Sequence, residues 1–241
     1  MNAADENLAI VVPTYNEAEN VGILLEKIYA AAPRAAVVVV DDDSPDGTAE
    51  KVGALRRQYP ALHCLVRKEK KGRGYATAAG LRYALELGKD YIMEMDADLS
   101  HDPAHIPEFL DAIRDVDFVI GSRFIKGGSD IERTVFRRGL SVLANAYFRA
   151  CFGVSVRDCT SGYRCVRREV LEKVTPETLC SAGPPVLEEM LFYCRGFRMK
   201  EIPIRFAARC AGSSKLDIKT LAQCLALPWS MTFRRLSVMI R

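Results

Sequence analysis

No stretch of this chain is continuously apolar for the 18 or so residues that a membrane-crossing helix needs, so none is predicted. No secretory leader is apparent either, because Met1 to Asn7 is short and acidic and precedes the first apolar run. The eight cysteines include no C-x-x-C pair. That excludes the usual zinc-ribbon and dithiol patterns, and the thiols are expected to be reduced and mostly buried. There are only three histidines. His101 and His105 are four apart but lack an acidic third ligand of the right type, so they are not read as a zinc pair; His101 and Asp102 are read as shaping the turn after the strand. Nor is there an excess of charge: 34 basic against 31 acidic residues leave +3, too little to imply a nucleic-acid partner. Internal repeats and low-complexity linkers are absent as well.

What the chain does have is alternation. Leu8 to Val12, Val37 to Val40, His63 to Val66 and Tyr91 to Met95 are short apolar runs rich in β-branched residues. Between them lie helical patterns: one with Val21, Leu24, Leu25 and Ile28 at helical spacing and Asn16 as its cap, then Thr48 to Tyr59 and Tyr75 to Leu87. Strand and helix alternating in this way predict an α/β fold with a Rossmann-like, mainly parallel sheet flanked by helices. Further on, Pro103 to Arg114, Arg133 to Phe152, Val166 to Val174 and Val186 to Cys194 read as helices, and Asp117 to Gly121 and Arg198 to Phe206 as strands. Residues 1–216 are expected to form the catalytic domain. From 217 to 241, Leu221, Leu225, Trp229, Phe233, Leu236 and Ile240 form an apolar stripe, kinked at Pro228. This C-terminal amphipathic segment is expected either to pack on the core or to lie on a bilayer or a membrane partner.

The polar residues gather where the strands end, which is where ligands of such sheets sit. Asp96 and Asp98 are two apart at the end of an extended run, so both carboxylates can converge on one hard cation such as Mg²⁺ or Mn²⁺. One of Asp41, Asp42 and Asp43 can hold a ribose or a base, while Asp43, Ser44 or Asp46 is read as making the turn and capping the next helix. The basic loop Lys68 to Arg73 is partly a solvated surface and partly able to approach phosphates. No Ser-His-Asp or Cys-His arrangement is evident, and Ser161 is read as contacting a sugar or ordering its turn.

Three blocks carry a resemblance: Val12-Pro13-Thr14-Tyr15-Asn16-Glu17, Val39 to Thr48, and Asp96-Ala97-Asp98-Leu99-Ser100-His101-Asp102-Pro103. Gly121 to Phe124 with Gly127-Gly128, Arg157 to Arg164, and Gly212 to Leu216 continue it. Together they resemble the dolichol-phosphate mannosyltransferases, inverting members of glycosyltransferase family 2, over roughly residues 8 to 216. The resemblance implies a GT-A fold and Mg²⁺ or Mn²⁺ as cofactor. It implies transfer of mannose from GDP-mannose to dolichyl or another polyprenyl monophosphate. Pro13, Tyr15, Glu17, Asp42 and Ser44 would line the nucleotide pocket. Asp96 and Asp98 would hold metal and diphosphate, with Ser100 beside them. Arg123, Arg137, Ser141, Arg209 and Lys215 would grip the acceptor phosphate. The place implied is the cytoplasmic side of a membrane, peripherally attached: endoplasmic reticulum in a eukaryote, plasma membrane in a prokaryote. The resemblance is to the shorter class of these enzymes, which implies small membrane partner subunits or peripheral contact with the bilayer.

The chemistry agrees with the missing base. A phosphate monoester carries close to two negative charges at neutral pH, so it is already a nucleophile. What it requires is screening from the donor diphosphate by a metal, and cations of its own. Two other readings stay open at this stage. One keeps the lipid phosphate but takes a UDP-glucose or UDP-N-acetylhexosamine donor. The other is a non-catalytic subunit that binds a nucleotide sugar.

Overall fold

The structure, a computed structural model, describes residues 3–130, 135–174, 176–207 and 225–231. The first half is a run of strand–helix units: β1 (Leu8–Thr14), α1 (Val21–Ala31), β2 (Ala36–Asp41), α2 (Thr48–Leu55), β3 (Leu62–Val66), α3 (Arg73–Glu86) and β4 (Tyr91–Glu94). After it come α4 (Ile106–Ala112), β5 (Phe118–Ser122), β6 (Ser129–Asp130) and α5 (Val135–Phe152). β7 (Arg164–Arg167), α6 (Arg168–Val174), α7 (Val186–Cys194), β8 (Met199–Pro203) and β9 (Arg205–Phe206) complete the described elements.

The main sheet runs β3-β2-β1-β4-β7-β5-β8. β7 is antiparallel to both β4 and β5, and the other pairings are parallel. β1 and β2 are apolar on both faces because helices cover both. One face packs α3, α6 and α7 against Val11, Val38 and Val40; the other packs α1 and α4 against Ile10, Val37 and Val39. α3 approaches the sheet closely at Gly80, where a Cβ would lie 2.3 Å from Val11 Cγ1 and 2.9 Å from Val40 Cγ2.

The structure departs from the sequence reading at four places, the first being Arg198 to Phe206, expected as one strand but split into β8 in the main sheet and β9, which pairs with β6 in a separate sheet. Asn16 does not cap α1, which starts at Val21; Asn16 sits at φ +60° and its N–H donates to Ser44 Oγ at 2.9 Å. The stretch expected to be one helix from Val166 to Val174 is instead β7 followed by α6, since the apolar Cys165 and Val166 fill the gap between β4 and β5. Cys159, Cys165 and Cys194 are buried, but Cys151 and Cys180 are exposed. Pro203 is tolerated because it ends β8, the edge strand. The boundary at 216/217 and most of the apolar stripe lie outside the described residues. A helical stretch at 225–231 buries Leu227 and Met231 in the core and leaves Leu225 and Trp229 exposed.

Glu188 on α7 is buried, and its Oε2 has no hydrogen-bond partner. Burial pushes its pKa up to about 7, although Arg164 opposes the shift. Between the ordinary carboxylate range and pH 7 the native protein therefore keeps a proton that the unfolded chain has lost. Stability must fall as pH rises through that window. The Glu188→Gln variant lacks this slope, so the stability of variant relative to wild type should rise by up to roughly 3 kcal/mol between pH 5 and pH 8. Urea unfolding of both proteins across that range measures it.

Candidate active site

β4 stops at Glu94, and the backbone then turns through Asp96-Ala97-Asp98. Leu99 occupies the left-handed region at φ +64°, where a bulky residue is strained. That turn lets Asp98 Oδ1 accept from Ser100 N–H at 3.1 Å and from Ser100 Oγ at 2.5 Å. Ser100 thus orients Asp98. His101 is buried, and its Nδ1 accepts the Asp96 N–H at 3.0 Å. Burial lowers its pKa, partly opposed by Asp96 and then Asp98. It is a neutral brace for the turn, stacked on Tyr163 at 4.9 Å between ring centroids.

Behind the acid turn is a charge cluster in which Glu94 is buried and Arg73 partly buried. Glu94 is 2% exposed and accepts from Thr77 Oγ1 at 2.7 Å. Arg73, the first residue of α3, places Nη2 2.6 Å from Asp96 Oδ1 and 3.6 Å from Glu94 Oε1. Burial works against the Arg73 charge, but Asp96 and then Glu94 outweigh it and hold its pKa above the ordinary value. Burial also pushes the Glu94 pKa up, against the pull of Arg73. Gly162 faces this cluster; a Cβ there would lie 2.7 Å from Arg73 Nη2 and 3.3 Å from Asp96 Oδ1. The missing side chain keeps the space beside Asp96 open.

The donor set suits a hard divalent ion: two carboxylates and a hydroxyl, all oxygen. Among the described residues no three His, Cys, Asp or Glu side chains are grouped so as to hold a metal ion. An ion at Asp96 and Asp98 would need further oxygen ligands from substrate or water, as Mg²⁺ and Mn²⁺ accept.

Residues at the ends of β1 and β2 form the second wall. Asp41 accepts from Ser44 N–H at 2.8 Å and Ser44 Oγ at 2.6 Å, and from Thr14 Oγ1 at 3.0 Å. Ser44 is thereby built into the turn. Asp42 pairs with Arg67 and accepts the Gly72 N–H at 2.6 Å, which ties the basic loop to the sheet. Pro13 lies in β1, Tyr15 beyond it is 44% exposed, and Glu17 receives Asn20 Nδ2 at 2.8 Å.

The basic side lies one ring away. The Phe206 ring has His101 at 5.4 Å on one side and the Arg123 guanidinium at 5.2 Å on another. Arg123 is 5% exposed and forks onto Asp158, with Nε to Oδ2 at 2.8 Å and Nη2 to Oδ1 at 2.7 Å. Burial opposes both charges, yet their hydrogen bond raises the Arg123 pKa and lowers that of Asp158. Beyond Arg123 a cleft of about 470 Å³ runs along α5, with Arg138, Arg149 and Arg157 among apolar Phe124, Ile125 and Val142. Asn145 docks α5 on the 158–163 turn, accepting the Cys159 N–H at 2.6 Å and donating to the Ser141 carbonyl at 2.9 Å. Arg209 and Lys215 fall outside the described residues, as does the side chain of Arg137.

Sequence reasoning placed Arg73 only in a basic loop partly able to approach phosphates, and assigned no role to Glu94, Arg138 or Arg149. A signal existed for the last two: positions 138, 142, 145 and 149 recur at helical spacing and share one face of α5. No comparable signal marks Glu94, which reads as the polar end of a strand.

The chain matches the glycosyl transferase family 2 profile over residues 9–175. It is 38% identical over 209 residues to the undecaprenyl-phosphate mannosyltransferase of Micrococcus luteus, covering 86% of each chain. It is 37% identical over 220 residues to the polyprenol monophosphomannose synthase of Mycolicibacterium smegmatis, covering 90% of this chain and 83% of that one. With the dolichol-phosphate mannosyltransferase of Pyrococcus furiosus it shares 35% over 223 residues, which is 90% of this chain and 61% of that one. In fold it is similar to glucosyl-3-phosphoglycerate synthase of Mycobacterium tuberculosis, solved with Mn²⁺, UDP and glucosyl-3-phosphoglycerate. There the TM-score is 0.66 at 16% identity, over 95% of this chain and 79% of the other.

Proposed function

Since the chain belongs to glycosyl transferase family 2, we propose that it makes a polyprenyl-phosphate mannose, taking mannose from GDP-mannose with inversion at the anomeric carbon. The three relatives named for this lipid product support the reading. The observation that carries it is the juxtaposition at Phe206: an acid turn suited to an ion on one side, a buried arginine opening on a basic and apolar cleft on the other.

Asp96 and Asp98 would hold Mg²⁺ or Mn²⁺, whose charge would screen the donor diphosphate and stabilise it as it departs. Ser100 fixes Asp98. Pro13, Tyr15, Glu17 and Asp42 border the nucleotide. Arg123, paired with Asp158, closes the inner end of the acceptor cleft, and Arg138, Arg149 and Arg157 give it positive charge. Arg137, Ser141, Arg209 and Lys215 complete the acceptor grip that the resemblance implies. The lipid phosphate oxygen attacks the anomeric carbon, the bond from that carbon to the diphosphate breaks, and GDP leaves. No general base is needed because the monoester is already ionised.

No helix among the described residues is long and apolar enough to cross a membrane. Exposed Leu140, Val142 and Leu143 on α5, with Leu225 and Trp229 nearby in the fold through the Tyr147 Oη bond to the Leu225 carbonyl, support peripheral contact with a bilayer. The test uses the purified chain, Mg²⁺, labelled GDP-mannose, and vesicles with or without polyprenyl phosphate. The expected result is lipid-extractable label with stoichiometric GDP, and the chain sedimenting with the vesicles. Label that stays in water with GDP-mannose but moves to lipid with a UDP-sugar overturns the donor assignment.

A further inference from the structure

Neither the resemblance nor the proposed chemistry gives Arg73 a role, yet it sits at the centre of the acid turn. Its Nη2 is 2.6 Å from Asp96 Oδ1, one of the two carboxylates assigned to the ion. The backbone that carries it is pinned. Gly74 N–H donates to the Ala182 carbonyl at 2.9 Å, and a Cβ on Gly72 or Gly74 would overlap the 181–182 carbonyls. A second carboxylate, Glu94, lies 3.6 Å from the same guanidinium and is almost wholly buried. Glu94 is too deep to meet substrate, and its Oε2 has no hydrogen-bond partner. The arrangement is a cation with two seats, one at the site and one behind it.

We infer that Arg73 is a tethered counter-ion for Asp96, which a divalent ion displaces onto Glu94 only when it arrives with the donor diphosphate. A bare dication meets a fixed positive charge beside its ligands and binds weakly. The same dication carrying a nucleoside diphosphate brings little net charge, so repulsion from Arg73 is largely cancelled, and the diphosphate offers the guanidinium further acceptors. Arg73 is thus a positioning residue that makes ion binding contingent on donor. This rests on the reading of Asp96 and Asp98 as the ion-holding pair.

Titration of free Mn²⁺ by electron paramagnetic resonance, with and without GDP, tests it. Wild-type protein should bind Mn²⁺ weakly alone and much more tightly with GDP. Arg73→Met should bind Mn²⁺ alone at least about fivefold more tightly, and the gain from GDP should shrink correspondingly. Arg73→Lys keeps the charge and should behave as wild type. Because Arg73→Met leaves Glu94 buried without its counter-charge, the double variant Arg73→Met/Glu94→Gln is titrated alongside and should show the same tightening. Equal Mn²⁺ affinity in wild type and both neutral variants overturns the role of Arg73 alone. No Mn²⁺ bound by any of the proteins, even with GDP, overturns the ion site itself and this inference with it.

Discussion

Asp98→Asn should reduce lipid-linked product formation by about a thousandfold while shifting the melting temperature by no more than a few degrees. The substitution is chosen for what it retains. An asparagine side-chain oxygen still accepts from Ser100 N–H and Oγ, the two bonds that Asp98 Oδ1 receives, so the strained turn at Leu99 keeps its tie. What is lost is one negative charge in a site whose neighbours are charged and largely buried. Charge there is worth far more than in water. Asp98→Ala removes both charge and tie, and its loss of activity is harder to apportion. Initial rates, thermal unfolding and Mn²⁺ binding in the presence of GDP should be measured on the same preparation. Near-normal turnover by Asp98→Asn would end the metal-pair reading.

The largest stability effect is expected at a position with no chemistry. Gly80→Ala adds one methyl where α3 lies on β1 and β2, 2.3 Å from Val11 Cγ1 and 2.9 Å from Val40 Cγ2. Both valines are fully buried on central strands, so neither has room to yield. The helix must lift, and its first residues carry Arg73 and the bond from Gly74 to the 182 carbonyl. Overpacking of this kind costs about 3 kcal/mol or more. Gly53→Ala, in α2 with nothing within 4 Å of the new methyl, is the matched control. It should stabilise by about 0.5–1 kcal/mol, the ordinary helix preference for alanine. Urea unfolding of the two variants should therefore move in opposite directions, and a Gly80→Ala midpoint at or above wild type contradicts the close-approach argument.

Much of the first half was legible because its signals are local. Four apolar runs separated by helical patterns specify parallel strands, and acidic residues at their ends mark the ligand side. The second half was harder for a physical reason. Arg164 to Arg167 is only four residues long, and it is a strand because β4 and β5 leave a gap of that length, a fact of tertiary structure. At the site, the sequence presents Asp96 and Asp98 together because they share a turn. It hides Arg73, which is 23 positions earlier and reads as the end of a basic loop. The Arg123–Asp158 fork was likewise divided between two motifs, each recognised, whose meeting depends on the turn that carries residues 158–163. Composition could not separate exposed Cys151 from buried Cys165, because one lies on an outward position of α5 and the other inside the sheet on β7.

The reversed strand also constrains how the molecule is made. A nascent chain that has emerged only through β5 holds β3-β2-β1-β4 with the far side of β4 bare, since β7 is its partner there. β5 meanwhile waits for the same strand, and β8 follows still later. Synthesis must pass about residue 167 before the two halves of the sheet can join, and until then an apolar edge at Ile92 and Met93 is open to other chains. Fragments ending between β5 and β7 should therefore aggregate, and expression of this protein should respond to translation speed and chaperone supply over that interval more than over any earlier one.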